Sequence, residues 1–239
     1  MDKDEIRQMI WDVMEGKDIA LFPRPVHGRI PNFKGADAAA RKMEQLDIWR
    51  EARFVKCNPD SPQRPVREAA LQSGKTIYMA VPRLREEKCF IRVDPDYAGS
   101  PRKASTIRGA FRYGRAVHPH EMNPVDLVVA GSVAVDRAGG RVGKGGGYSD
   151  LEYALGREFS ILDEDAPIVT TVHPIQVLDI DIPMLEHDVP IDFIVTRRYT
   201  IECRRRGKPR GILWEKLGEE MLESIPILKI LSKSRKGFM

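Results

Sequence analysis

Apolar residues recur at helical spacing near the start of the chain and then in short runs separated by polar segments. The stripe Ile6, Met9, Ile10, Val13 and Met14 predicts an amphipathic helix over residues 3–15. Further helices are predicted over 35–52, 148–162 and 212–224, and one between Pro65 and Gly74. Shorter apolar runs predict strands at 53–57, 76–81, 89–93, 125–130, 168–172, 191–196 and 199–203.

Two segments lack this periodicity. Residues 21–34 contain three prolines, which exclude a regular helix because proline lacks a backbone donor and clashes with the preceding turn. The segment predicts either an anionic-substrate site or a solvated surface strap. Its polar side chains are Arg24, His27, Arg29, Asn32 and Lys34. Residues 94–124 are rich in proline, glycine and arginine, and they are predicted to be irregular with one short helix.

The order of these elements predicts an α/β fold. Near-continuous apolar runs such as Val125–Ala130 are typical of strands buried on both faces of a mainly parallel sheet. We therefore expect a three-layer α/β/α domain over residues 1–206, followed by a basic helical extension over 207–239. Ligands of such sheets bind beyond the carboxyl ends of the strands, which makes the segment after residue 130 the first place to look for a site.

The composition is that of a globular protein, with 42% hydrophobic and 31% charged residues. No apolar run is long enough to span a membrane, and the acidic N-terminus is not typical of a secretory signal. Cys57, Cys89 and Cys203 are widely spaced, which favours packing roles in a reducing cytoplasm. The net charge is +4, and its basic excess lies after residue 203. The oligomeric state is left open.

The segment 141–150 combines four glycines with charged side chains. Glycines let the backbone turn successive N–H groups toward an anion, and the helix predicted from residue 148 adds positive potential at its start. Arg141 and Lys144 supply whole positive charges, and Asp150 supplies an oxygen of the kind that Mg²⁺ prefers. The segment therefore predicts a nucleotide-phosphate site, with a hairpin whose glycines only permit a turn as the alternative.

The loop matches neither common phosphate motif, because Ala138 and Gly145 stand where a P-loop needs glycine and Ser or Thr. Basic and aromatic residues over 97–115, together with the tail 204–210, keep a nucleic-acid-binding module open as a less favoured alternative. His118 and His120 have no third ligand at convincing spacing, so they are interpreted as polar loop residues. Asp188 is expected to orient a basic group or a metal-bound water, or to make a structural hydrogen bond.

Four separated motifs agree in order and spacing with one enzyme family. They are Lys3 with Arg7, Gly74-Lys75 followed by Val81-Pro82-Arg83, the stretch 125–150, and the stretch 183–196. On these motifs the chain resembles the 5-formyltetrahydrofolate cyclo-ligases, also called methenyltetrahydrofolate synthetases, chiefly over residues 70–200. Segment 22–35 resembles a divergent branch of that family, the methenyltetrahydrofolate synthetase domain-containing proteins.

The resemblance implies a fold related to the ribose-5-phosphate isomerase and CoA-transferase sheets. It also implies a ligase of one-carbon metabolism that uses ATP and Mg²⁺ to convert 5-formyltetrahydrofolate into 5,10-methenyltetrahydrofolate, ADP and phosphate. Within it, Arg141 and Lys144 would be catalytic and Asp150 would hold the metal. Tyr148 and Ser149 would contact the substrate. The residues that would bind ATP are Lys3, Arg7, Arg141, Gly143, Lys144, Gly145, Gly146, Gly147 and Tyr148.

The chain departs from the family pattern on the folate side. Ser149 stands where the family usually carries a second tyrosine, and serine cannot supply the stacking area of a ring. Lys56 and Asn58 stand near the place of a family glutamate that faces the pterin. These departures favour an alternative, a nucleotide-binding paralogue without cyclo-ligase activity that acts on another small substrate, with a thiamin-related compound as one candidate.

Overall fold

The computed structural model describes residues 1–204 and 207–236. The helices are α1 Lys3–Gly16, α2 Ala36–Met43, α3 Asp47–Glu51, α4 Arg64–Gln72, α5 Pro101–Ala104, α6 Ile107–Tyr113, α7 Tyr148–Glu158, α8 Glu219–Ser224 and α9 Pro226–Lys236. The strands are β1 Ala20–Leu21, β2 Asn32–Phe33, β3 Phe54–Cys57, β4 Thr76–Ala80, β5 Phe90–Val93, β6 Arg115–Val117, β7 Leu127–Val129, β8 Ala134–Asp136, β9 Arg141–Val142, β10 Ile168–Thr171, β11 Val177–Leu178, β12 Phe193–Val195 and β13 Thr200–Glu202.

Eight strands form the central sheet, in the order β13-β12-β10-β7-β3-β4-β5-β6. The five inner strands from β12 to β4 run parallel, and antiparallel strands close both edges. The predicted mainly parallel α/β sheet is thus confirmed. The inner strands are mostly apolar because both of their faces are covered, with Lys56 of β3 as a buried charged exception.

Successive residues of β7 show how the two faces are covered. Val128 belongs to an apolar cluster that contains Leu151 and Leu155 of α7. Leu127 and Val129 point to the other face, where the cluster contains residues of α2 and α4 such as Met43 and Val66. Side chains of a strand alternate between faces, so this arrangement gives the three layers that the sequence predicts.

Helix α1 packs outside these layers, against a small sheet in the order β11-β8-β9. Its start is fixed by a capping box, in which the Asp2 carboxylate accepts from the N–H of Glu5 at 2.9 Å and Glu5 accepts from that of Asp2 at 2.8 Å. Ile6 and Ile10 of its apolar stripe are buried against Val142 of β9. Because β9 leads directly into the glycine loop, the stripe that the sequence shows also sets the position of that loop.

The proline-rich segment forms a strap, and β1 and β2 pair at its two ends. The Glu15 carboxylate of α1 accepts from the Val26 N–H at 2.8 Å and pairs with Arg24. His27 lies 2.8 Å from the Asp12 carboxylate. Arg24 and His27 therefore hold the strap against α1. Arg29, also in the strap, borders the large cleft described below.

Three predicted elements are corrected. The helix expected over 35–52 is divided into α2 and α3, because Leu46 is extended between them and packs its side chain against the apolar cluster. The segment 94–124 contains two α-helices and an edge strand, of which α6 is capped by the Thr106 hydroxyl accepting from Gly109 N–H at 2.9 Å. Most of these residues are polar or small, so their helical periodicity is weak.

The helix expected over 212–224 is also wrong in its first half. A short 3-10 turn at Trp214–Lys216 and the extended Leu217 precede α8, and α9 follows from Pro226. Trp214 and Leu217 pack on the cluster that contains α7 from this irregular backbone, and Met221 packs on it from α8, so burial produced the apolar spacing without a continuous helix. In the described part of the tail, Ile227 and Leu228 are fully buried in the same cluster.

The three cysteines are buried and form no disulfide within the described residues, in agreement with packing roles. Burial raises the pKa of Cys89 to about 12, which keeps its thiol protonated. Within the described ranges, no helix is both long and apolar enough to cross a bilayer.

Candidate functional site

A cleft of about 720 Å³ opens beyond the carboxyl ends of three neighbouring strands. Asn58 follows β3, Val81 follows β4 and Gly131 follows β7, and all three border the cleft. The glycine loop and the start of α7 form a further wall. The position agrees with the rule that parallel sheets bind ligands at this edge.

The structure brings every sequence-predicted site residue to this one cleft. The residues are Lys3, Arg7, Arg141, Gly143, Lys144, Gly145, Gly146, Gly147, Tyr148, Ser149 and Asp150. Asp188, the acid that was expected to orient a basic group, also borders it and pairs with Lys3. The loop therefore faces a concave site and does not extend into open solvent.

The backbone of the glycine loop is shaped for an anion. Gly145 and Gly147 have φ angles of 105° and 66°, which glycine adopts readily and other residues do not. Among the described residues, no acceptor lies within hydrogen-bonding distance of the N–H groups of residues 144–150. Since α7 begins at residue 148, its first N–H groups and its dipole add positive potential at the same place.

Helix α1 holds the loop from one side. The Arg7 guanidinium donates from Nε to the Gly143 carbonyl at 2.8 Å, and it also pairs with Asp4. Lys144 Nζ lies 3.1 Å from the Asp60 carboxylate across the cleft. Each of these cations has a carboxylate partner, which neutralises its charge in the absence of a ligand. A more highly charged anion, such as a polyphosphate, can compete with the carboxylates for the cations.

Arg141 is buried and organises the wall behind the loop. It donates to the Gly131 carbonyl at 3.1 Å and lies 2.5 Å from Asp150 Oδ1. Asp150 also accepts from the Val189 N–H at 3.0 Å. The pair therefore joins the end of β7, the loop, the start of α7 and the segment before β12.

These donors fit a nucleotide with its magnesium ion. Magnesium in such sites is held by one or two carboxylates together with phosphate oxygens and water, and Asp150 and Asp60 both border the cleft. No group of three or more His, Cys, Asp or Glu suited to a metal occurs in the described parts of the chain. The arrangement suits an ion that arrives with phosphates and not one that side chains alone would hold.

Sequence reasoning missed Glu152 and Asp60, whereas it named Arg29 as a strap residue that could bind an anionic substrate. Glu152 borders the cleft, is 7% exposed and pairs with Lys56. Its one available signal was an acidic side chain on the apolar face of the predicted helix. Asp60 and Arg29 lie in loops whose course the sequence does not specify.

Gly145→Ala tests the loop geometry. With φ at 105°, an alanine here is strained, by about 1–3 kcal/mol if the backbone is kept, so we expect the loop to change shape and nucleotide affinity to fall about tenfold. Calorimetric titration with MgATP measures the effect. Gly16→Ala is the control, since its φ is ordinary and no atom lies within 4 Å of the added carbon. Equal affinities of the two variants would contradict the expectation.

The sequence model of the 5-formyltetrahydrofolate cyclo-ligase family matches residues 1–197. The chain belongs to this family. The match contains the glycine loop and all of the residues that border it in the cleft. The resemblance that the four motifs indicate is thereby confirmed.

Individual relatives carry the same assignment. The chain is 45% identical over 237 residues to a methenyltetrahydrofolate synthase domain-containing protein of Bos taurus, covering 97% of this chain and 62% of the relative. Its human counterpart is 42% identical over 236 residues, with 97% and 61% covered. The chain thus spans about three-fifths of the length of these relatives.

A solved structure supports the fold of this family member. The NMR structure of Aquifex aeolicus 5,10-methenyltetrahydrofolate synthetase superposes with a TM-score of 0.53 at 19% identity, covering 91% of this chain and all of that one. At this identity the likeness concerns the fold alone.

Proposed function

We propose that this cyclo-ligase family member binds MgATP in the cleft and uses it to activate an oxygen atom of a small substrate. The first candidate substrate is 5-formyltetrahydrofolate, with 5,10-methenyltetrahydrofolate, ADP and phosphate as products. The observation that carries the proposal is the row of N–H groups at residues 144–150, which make no hydrogen bond within the described residues and share the cleft with Lys3, Arg7 and Lys144. Family membership supports the same chemistry.

In this proposal the N–H groups of the loop bind phosphate oxygens, and Lys144 and Arg7 neutralise their charge. Arg141 holds Asp150 toward the cleft, where its carboxylate binds magnesium. Bound ATP would supply the phosphoryl group that makes the substrate oxygen a leaving group. The residues present position and neutralise, which is what phosphoryl transfer requires of a protein.

The test combines binding with turnover. Calorimetry measures MgATP affinity, and the absorbance of methenyltetrahydrofolate measures turnover of 5-formyltetrahydrofolate in the presence of ATP and Mg²⁺. We expect saturable MgATP binding and ATP-dependent product formation. Absence of MgATP binding would contradict the whole proposal, whereas binding without product would reject this substrate.

A second candidate function is favoured by one observation. Ser149 occupies the place of a family tyrosine, and its hydroxyl lies 3.3 Å from the amide oxygen of Asn58. This wall of the cleft is therefore a hydrogen-bonding surface without the stacking ring. It supports a nucleotide-dependent protein that acts on a different small substrate, for which a thiamin-related compound remains a candidate. MgATP binding without turnover of 5-formyltetrahydrofolate is the result that this candidate predicts.

A further inference from the structure

We propose that Glu152, held by Lys56 and Asn58 on the inner wall of the cleft, binds an amino group on the heterocyclic ring of the second substrate. The proposal rests on the function proposed above, because it concerns the ligand that lies beside the nucleotide. It assigns a specificity-determining role to a residue of α7 that no motif of the chain singled out.

Lys56, Asn58 and Glu152 form a buried polar cluster on the inner wall of the cleft. Lys56 is 5%, Asn58 4% and Glu152 7% exposed, and Lys56 pairs with Glu152. Burying an ion pair removes two charges from water, and its stabilisation is often no greater than that of apolar residues of the same volume. The pair is therefore poorly explained by stability alone. Lys56 allows a carboxylate to remain at an almost fully buried position beside a ligand-sized cleft.

Asn58 fixes the direction of the group. Its Oδ1 accepts from the Gly131 N–H at 3.1 Å, and an N–H can only donate, so the amide nitrogen must point the other way. That nitrogen donates to Glu152 Oε2 at 3.2 Å. The backbone at the end of β7 thereby sets the orientation of Asn58, and Asn58 with Lys56 sets that of the carboxylate.

The second carboxylate oxygen is left for a ligand. Both Lys56 and Asn58 engage Oε2 of Glu152, and no donor to Oε1 occurs in residues 1–204 or 207–236. An ionised carboxylate can only accept hydrogen bonds, so the complementary ligand must donate one. Because Glu152 borders the cleft, a ligand held there can supply this donor in place of water.

Ser149 determines the kind of selectivity. A serine at this position supplies no second ring beside Tyr148, so hydrogen bonds have a larger share in the discrimination. A site built to bind a substrate N–H strongly rejects an analogue that lacks it, because the buried acceptor is then left unpaired. Together with the substrates considered under the proposed function, this acceptor favours a nitrogen heterocycle that carries an amino group. Reduced folates and free aminopyrimidines both have this chemistry.

A matched pair of probes tests the amino group. In the presence of MgADP, binding of 2-amino-4-pyrimidinone and of 4-pyrimidinone, which lacks the amino group, is measured by NMR titration. We expect the wild-type protein to bind the amino compound about tenfold or more tightly. Glu152→Gln should abolish this preference, because its amide can no longer offer an anionic acceptor held by Lys56. Glu51→Gln, an exposed acid outside the cleft, should retain it.

A second variant keeps the test valid if the first is unstable. Glu152→Gln leaves Lys56 buried without its partner, whereas the double change Lys56→Gln with Glu152→Gln removes both charges together. We expect the double variant to be folded and equally without preference. A wild type that binds both probes equally or neither of them, or a double variant that keeps the preference, would overturn the role of Glu152.

MgATP binding is measured on the same samples, which separates the two proposals. Retained MgATP binding without any probe preference contradicts only the role of Glu152. Probe preference without MgATP binding contradicts the proposed function. Displacement of the amino probe by 5-formyltetrahydrofolate would support a reduced folate as the source of the group, and no displacement would exclude that folate and favour a free aminopyrimidine.

Discussion

Asp150→Ala is expected to lower the free energy of unfolding by about 3–5 kcal/mol, because it leaves the buried Arg141 guanidinium without its counter-charge. The Arg141 side chain is 4% exposed, and its remaining acceptors are the carbonyls of Gly131 and Val189 at 3.1 and 3.4 Å. Two carbonyls satisfy donors but do not neutralise a charge. Urea denaturation followed by circular dichroism measures the loss.

The metal-holding role that the resemblance implies for Asp150 would by itself lead one to expect weaker nucleotide binding in an otherwise stable protein. The ion pair with Arg141 is the reason for the revision. Asp60→Ala provides the control, since its partner Lys144 is 45% exposed and such pairs contribute about 0–1 kcal/mol. Equal losses in the two variants would show that Arg141 does not depend on Asp150 for its burial.

Lys144→Ala is expected to weaken MgATP binding by about 10- to 100-fold with little change in stability. A hydrogen bond to a charged group contributes about 1.5–3 kcal/mol, and Lys144 stands in the middle of the loop that faces the cleft. Its ion pair with Asp60 is too exposed to affect folding appreciably. Calorimetric titration at two salt concentrations measures the affinity, which should fall as salt rises because charge neutralisation contributes to it.

Lys103→Ala is the matched control for this change. Lys103 is an exposed lysine of α5 that does not border the cleft, and its removal changes the net charge by the same amount. We expect its MgATP affinity to equal that of the wild type. Similar losses in both variants would mean that the nucleotide responds only to overall charge and that the loop is not its binding site.

Both predictions depend on a feature that local sequence cannot show, namely which carboxylate each cation meets. Lys144 contacts Asp60, and Lys3 contacts Asp188, across distances of 84 and 185 positions in the chain. The family motifs indicated that Lys3 and Lys144 lie close together, and both border the same cleft. Their acidic partners come from loops after β3 and before β12, and those loops reach the cleft only because of the strand order of the sheet.

For the fold, too, some features follow from local sequence and others only from the tertiary structure. The apolar runs predicted the inner strands because a strand covered on both faces excludes polar residues nearly everywhere. The stripe of α1 predicted its helix and its buried face. The helix prediction for residues 212–224 was wrong in its first half, because apolar residues there are buried although they lie in a 3-10 turn and in extended backbone. Local spacing reports burial, and burial does not by itself determine backbone conformation.

By itself, the sequence determined the α/β class, the family and the glycine loop at the edge of the sheet, because each is read from short stretches of the chain and from the order of those stretches. Only the tertiary structure decided that α1 clamps the loop, that Asp150 neutralises a buried arginine, and that Glu152 meets Lys56 and Asn58 at the cleft. The physical reason is that ion pairs and hydrogen bonds form between groups within about 3 Å in space. Residues of β3 and α7 come that close only after the sheet has assembled.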